Sequence, residues 1–165
     1  MKLFTILMTV GFLFNYVSMK DNGIAFEQSS YSEILELAKK ENKYVMLYFH
    51  FQGCMDCNEM ESTVFVSKDV SDFYNENFVS FAVNTSTYEG YEINKVYDIQ
   101  LQPTFLYLNV DGKVIHKAIG GYGREEFILE GLYAFNPIHG LIRKVTGKHN
   151  LYTIKRDSPV RSIVR

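Results

Sequence analysis

Cys54 and Cys57 are the residues of this 165-residue chain best suited to chemistry, and they are its only two cysteines. Thiolates attack disulfides and bind soft metals, so a Cys-x-x-Cys pair offers dithiol redox chemistry or part of a metal site. Here the pair follows a run of strand length and opens a segment of helical character. At such a junction the exposed N–H groups and dipole of the first helical turn favour an anion, which stabilises the Cys54 thiolate. A two-residue spacer lets Cys57 lie beneath Cys54 and close a disulfide with it. In exchange chemistry Cys54 then attacks a substrate disulfide, and Cys57 resolves the mixed disulfide. Two other readings stand beside this one. The pair is a structural disulfide or two inert core thiols, or it joins His50 in a His-x3-Cys-x2-Cys metal site. The metal reading has no visible fourth ligand, and no metal is expected.

These cysteines depend on the elements around them. The run Tyr44–His50 is almost continuously apolar, which suits a central strand covered on both faces. Upstream, Ser30-x-x-Glu33 forms a capping box ahead of a helix running to about Glu41, with Ile34, Leu35 and Ala38 on its apolar stripe. Residues 24–26 read as a short first strand. After the cysteines a helical pattern passes through Met60 and Val64, and Ser67 caps a further helix carrying Val70, Phe73 and Tyr74. A strand over 78–84 and a short helix over 93–98 follow, with Tyr88, Gly90 and Tyr91 in the loop between them. Segments 103–109 and 113–119 flank Asp111-Gly112, a strong hairpin signal. Gly120-Gly121 ends the hairpin, and residues 124–135 read as a final helix. The order β-α-β-α-α-β-α-β-β-α predicts an α/β fold, a three-layer α/β/α sandwich around a mixed sheet. His116, His139 and His149 show no partner pattern and read as surface residues.

Composition narrows the function classes. With 47% hydrophobic and 22% charged residues, the chain has the profile of one ordinary soluble domain. Its formal net charge of −2 argues against general nucleic-acid affinity. Charge is uneven, however. Residues 132–165 hold seven of the 17 Lys and Arg but one of the 19 Asp and Glu, so the tail is basic and the body acidic. At the other end, Met1-Lys2 precedes an apolar stretch over 3–17, the pattern of a secretory signal and short of the roughly 20 residues a membrane span needs. The expected division is a signal peptide or N-terminal anchor over 1–19, a folded domain over 24–132 and a basic extension over 133–165. Membrane contact, if any, falls to the N-terminus or the basic tail.

The residues carry a family resemblance as well. The strand leading into Cys54-x-x-Cys57, Gln102-Pro103-Thr104 ahead of a strand, the Asp111-Gly112 hairpin and Gly120 together resemble the thioredoxin superfamily over residues 24–132. Ala-Lys-Lys-Glu-Asn-Lys before the strand and Gly-Cys-x-x-Cys-x-x-Met-Glu after it look most like secreted bacterial thioredoxin-like proteins. They are also similar to the thioredoxin-like end domain of thiol–disulfide interchange proteins. The resemblance implies a cis Pro103 packed against the cysteine pair, and a substrate strand paired with the backbone of Gln102 and bordered by Gly53. It implies Cys54 as nucleophile, Cys57 as resolving thiol and no dissociable cofactor, because the cysteines carry the electrons. Protein thiols or disulfides and an electron-donating redox partner are the implied partners, and the bacterial periplasm or another exported location the implied setting.

Three departures from the family pattern bear on mechanism. Gly53 stands where thioredoxins carry Trp, Tyr48 where they carry a buried acid that assists the resolving cysteine, and Met55-Asp56 where they carry Gly-Pro. Glu59 and Glu61 are the carboxylates left to assist Cys57. Together with Asp56 they oppose the Cys54 thiolate, which favours the disulfide form and reductant behaviour. A non-catalytic thioredoxin-fold binding module, with Cys54–Cys57 as a structural staple, is the alternative.

Overall fold

The computed structural model describes residues 23–135. Strand β1 (Tyr44–His50) sits inside a four-stranded sheet of order β2-β1-β3-β4, with β2 (Phe78–Asn84), β3 (Thr104–Leu108) and β4 (Val114–Ile119). β1 runs parallel to β2 and antiparallel to β3, and β3 pairs antiparallel with β4, so the sheet is mixed. Because strand side chains alternate between faces, β1 feeds two cores. Val45, Leu47 and Phe49 pack in one core with Ile34 and Ala38 of helix α1 (Tyr31–Glu41) and Ile93 of α4 (Tyr88–Tyr97). Met46 and Tyr48 pack in the other, against α2 (Met55–Glu59), α3 (Lys68–Asn77) and α5 (Arg124–Phe135). Helices thus cover both faces, and the expected three-layer α/β/α sandwich is the observed fold. No helix among the described residues is long and apolar enough to cross a membrane.

Local chemistry explains where the elements start and stop. The Ser30 backbone N–H and hydroxyl both donate to the Glu33 carboxylate at 2.8 Å, closing the start of α1, and Asn42 ends the helix in the left-handed region at φ 53°. Those hydrogen bonds hold the Glu33 carboxyl below the usual carboxylate range. At the β3–β4 hairpin, Gly112 takes φ 78° and the Asn109 side chain accepts from the Asp111 and Lys113 N–H groups.

Three local expectations change. The first strand over 24–26 shrinks to an isolated parallel bridge between Phe26 and Ser80. Its segment is held instead by Ile24 N–H donating to the Phe65 carbonyl and by the Phe26 ring against Tyr48 and Phe65. Tyr88, Gly90 and Tyr91 are not loop residues but the first turns of α4. Thr87 caps that helix by accepting from the Gly90 N–H at 3.1 Å. Gly90 is there for space, since a Cβ would lie 1.9 Å from the Asn84 carbonyl oxygen. Finally, His116 is half-buried and shares a 2.6 Å hydrogen bond with Glu130, a carboxylate side chain whose residue is 3% exposed. Residues 1–22 and 136–165, which include the apolar stretch, His139, His149 and the basic tail, lie outside the described residues.

Candidate active site

β1 ends at His50, and the chain turns through residues 51–53 into α2, with the Cys54 N–H donating to the Phe51 carbonyl at 3.3 Å. Gly53 takes φ 93°, a conformation that a side chain strains. Cys54 occupies the cap position of α2 in extended conformation, and its Sγ accepts the Cys57 N–H at 3.2 Å. A sulfur thus fills the place usually taken by a Ser or Asp oxygen, and the same N–H is positioned to stabilise a thiolate there. Cys54 and Cys57 are joined as a disulfide with a Cα–Cα distance of 5.2 Å. Cys54 is the outer member at 5% exposed, and Cys57 lies under it at 1%.

The Gln102–Pro103 peptide is cis. The β1–β3 register pairs Phe49 with Thr104, which brings Pro103 to the level of His50, where the chain leaves the sheet toward the cysteines. Pro103 is buried and Gln102 half-buried. A third segment joins them, because Gly120 donates its N–H to the Pro103 carbonyl at 2.8 Å. Two residues on, Tyr122 donates its N–H to Met60 Sδ at 3.2 Å, which ties that segment to the cysteine-bearing helical stretch. Asp56, Glu59, Gly121, Tyr122 and Arg124 line a groove of about 480 Å³ alongside.

On the inner side of Cys57 stands Tyr48, at the position where the resemblance implies an acid. Its hydroxyl donates to Glu61 Oε1 at 3.0 Å and lies 3.4 Å from the Cys57 carbonyl oxygen. The ring is stacked between His50 and Phe105, with centroids 4.9 and 5.3 Å away. Burial and the Glu61 carboxylate push the Tyr48 phenol far above its ordinary range, so it stays protonated. His50 Nδ1 lies 3.7 Å from Glu61 Oε1. Burial pulls the His50 imidazolium down more than Glu61 holds it up, so the ring is neutral at neutral pH. His50 therefore faces a carboxylate, while the two sulfurs are bonded to each other.

The two carboxylates that sequence left equivalent are separated by the fold. Glu59 faces the groove and Glu61 engages Tyr48. Glu61 lies four residues after Cys57, a spacing that puts both on one helical face, and that signal was available. The stretch Met60–Val64 is π-helical, closed by the Phe65 N–H on the Met60 carbonyl at 2.9 Å. Such wide turns recur at functional sites.

Comparisons with known proteins agree with this geometry. A candidate disulphide-isomerase from Bacteroides thetaiotaomicron is 27% identical, with a TM-score of 0.63 over 71% of this chain and 97% of that one. A thioredoxin from Thermus thermophilus is 26% identical, with a TM-score of 0.62 over 77% of this chain and all of its own. Spermatogenesis-associated protein 20 of Rattus norvegicus is 36% identical over 72 residues, which are 44% of this chain and 9% of that much longer relative. The profile of the thioredoxin-like domain matches residues 31–134, well over half of the sequence, and the chain belongs to that family.

Proposed function

We propose that the chain is a thiol–disulfide oxidoreductase that reduces or exchanges disulfides of proteins through the Cys54/Cys57 dithiol. The observation that carries this reading is the cysteine pair itself, joined at the start of α2 with Cys54 outermost and its Sγ accepting a backbone N–H. In the reduced protein the Cys54 thiolate attacks one sulfur of a client disulfide. The Cys54–client bond forms, and the other client sulfur leaves as a thiolate. Cys57 then attacks Cys54 Sγ, the client sulfur departs with the bonding electrons, and the intramolecular disulfide returns. Two electrons pass from the dithiol to the client, and an electron-donating partner must restore the dithiol for a second round.

Gly53, Gln102 and Pro103 form the dock for the client strand in this reading, since the backbone beside the cysteine pair is where an extended segment has to lie. Asp56 and Glu59 set negative charge close to the pair. That charge disfavours the thiolate form and makes the protein a reductant rather than a strong oxidant. The setting we propose is the bacterial envelope, with residues 1–19 as export signal or anchor, 24–132 as the redox domain and 133–165 as a basic extension.

The test is turnover. The full chain, reduced and freed of excess reductant, is mixed with a reporter protein held by an interchain disulfide, with a small dithiol as electron source. Reporter cleavage faster than with the small dithiol alone is the expected result. An identical rate with and without the protein overturns the reading and leaves the binding module, in which the disulfide is a staple.

A further inference from the structure

A second concavity, of about 340 Å³, lies on the other side of β1 from the groove beside the cysteines and shares no lining residue with it. Neither cysteine lines it, nor do Gly53, Gln102 and Pro103. Its volume falls at the small end of the ~300–1,000 Å³ range of ligand pockets. Phe26, Phe65 and Ala82 supply hydrocarbon, and the polar side chains of the lining are Tyr48, His50 and Glu61. Ala82 stands opposite Tyr48 in the β1–β2 register, where its single methyl leaves the space open. Tyr48 is 1% exposed, whereas the Glu61 side chain is 44% exposed and that of His50 21%, so these two form the mouth.

The mouth is short of a cation. Glu61 accepts from the Tyr48 hydroxyl and, among the described residues, pairs with no Lys or Arg. Its one histidine neighbour, His50, holds a neutral ring, which carries a lone pair as well as an N–H. His50 Nδ1 and Glu61 Oε1 are 3.7 Å apart, too far for a hydrogen bond of their own. One ammonium nitrogen about 2.8 Å from each spans that gap with two of its three N–H donors, when the ring hydrogen is on Nε2. A hydrocarbon stem on that nitrogen then points into the apolar part of the pocket.

We infer that Glu61 and His50 bind the ammonium group of a primary alkylamine, whose hydrocarbon chain lies over Phe26, Phe65 and Ala82. The ligand chemistry is a primary ammonium on a short apolar stem, which a free amine and a lysine side chain share. Binding of this kind stands apart from the oxidoreductase reading, because none of the five residues belongs to the redox pair or to the proposed client dock.

Titration followed by amide NMR of the oxidised full chain tests this, with n-pentylammonium as probe. Saturable shifts are expected at residues 24–26, 48–50, 61 and 82, with 1-pentanol binding far more weakly. In Glu61→Gln, which keeps an oxygen for the Tyr48 hydroxyl, the amine should bind at least about tenfold more weakly, the loss of one charge-assisted hydrogen bond. The spectrum of the variant reports directly whether its fold is intact. N-acetyl-lysine methylamide separates the sources: binding as tight as that of pentylammonium assigns the pocket to a lysine side chain, and none assigns it to a free amine. Equal affinity for pentanol and pentylammonium overturns the inference, as does wild-type amine affinity in Glu61→Gln. Lys20 lies three residues before Gly23 and outside the described residues, so Lys20→Gln is titrated as well. Saturable binding in neither protein overturns the inference. Binding in Lys20→Gln alone overturns it too, because the chain then fills the pocket with an ammonium of its own.

Discussion

Replacing Cys57 with serine should convert the protein from a catalyst into a trap. Cys54 keeps its position at the start of α2, but the Cys57 hydroxyl substitute has no thiolate with which to displace a client. Intramolecular attack by a well-placed group has an effective molarity that reaches ~10⁵–10⁸ M in the best cases. Resolution by a millimolar thiol from solution should therefore be slower by at least about a thousandfold. Cys57→Ser protein incubated with a disulfide-bonded reporter is expected to accumulate a covalent adduct, stable without reductant and visible by mass on a non-reducing gel. Cys54→Ser should form none, because Cys57, at 1% exposed, is the sulfur underneath. Adducts of equal yield in the two variants would contradict the assignment of Cys54 as the outer nucleophile.

The second large effect is on stability. Phe105 is fully buried on β3, one residue after Thr104, and its ring centroid lies 5.3 Å from Tyr48 and 4.7 Å from Phe127. Phe65 and Tyr122 approach it at 6.2 Å, so aromatic groups from β1, the loop before α3, the loop before α5 and α5 itself converge on one side chain. Phe105→Ala removes the hub, and a large-to-small change of this kind costs about 3–5 kcal/mol. Against a typical total of about 5–15 kcal/mol, that is roughly a fifth or more of the stability of a domain. Urea unfolding should show a lower midpoint with an unchanged slope. A midpoint within error of the parent would mean that these rings do not hold the two layers together. Tyr48 also loses a stacking face in this variant, so the site and the core share the same support.

Patterns with a period were legible before the structure. The apolar run of β1, the capping box of α1 and the Asp111-Gly112 turn each rest on short-range chemistry, and all three stand where sequence put them. What escaped was decided by contacts distant in sequence. Segment 24–26 has strand character, but it forms a single bridge to Ser80 because the Ile24 N–H goes to the Phe65 carbonyl and the Ala25 N–H to the Asn75 side chain. Gly90 reads as a loop residue on propensity, yet it lies in the first turn of α4, where the Asn84 carbonyl leaves no room for a side chain. His116 reads as an isolated surface residue, and its partner Glu130 lies 14 positions away on another element. At the site, Cys-x-x-Cys and Gln102-Pro103 were visible in the sequence. The Tyr48–Glu61–His50 cluster was not, because a tyrosine in a strand reads as core until a carboxylate is seen bonded to it.

The most direct measurement is redox equilibration of the full chain in graded glutathione buffers, with the oxidised fraction read by thiol alkylation and mass. Complete, reversible conversion of the Cys54–Cys57 pair within minutes is expected, with a midpoint on the reducing side. A pair that stays in one state for hours in both fully reducing and fully oxidising buffers would contradict it, and the disulfide would then be a structural staple.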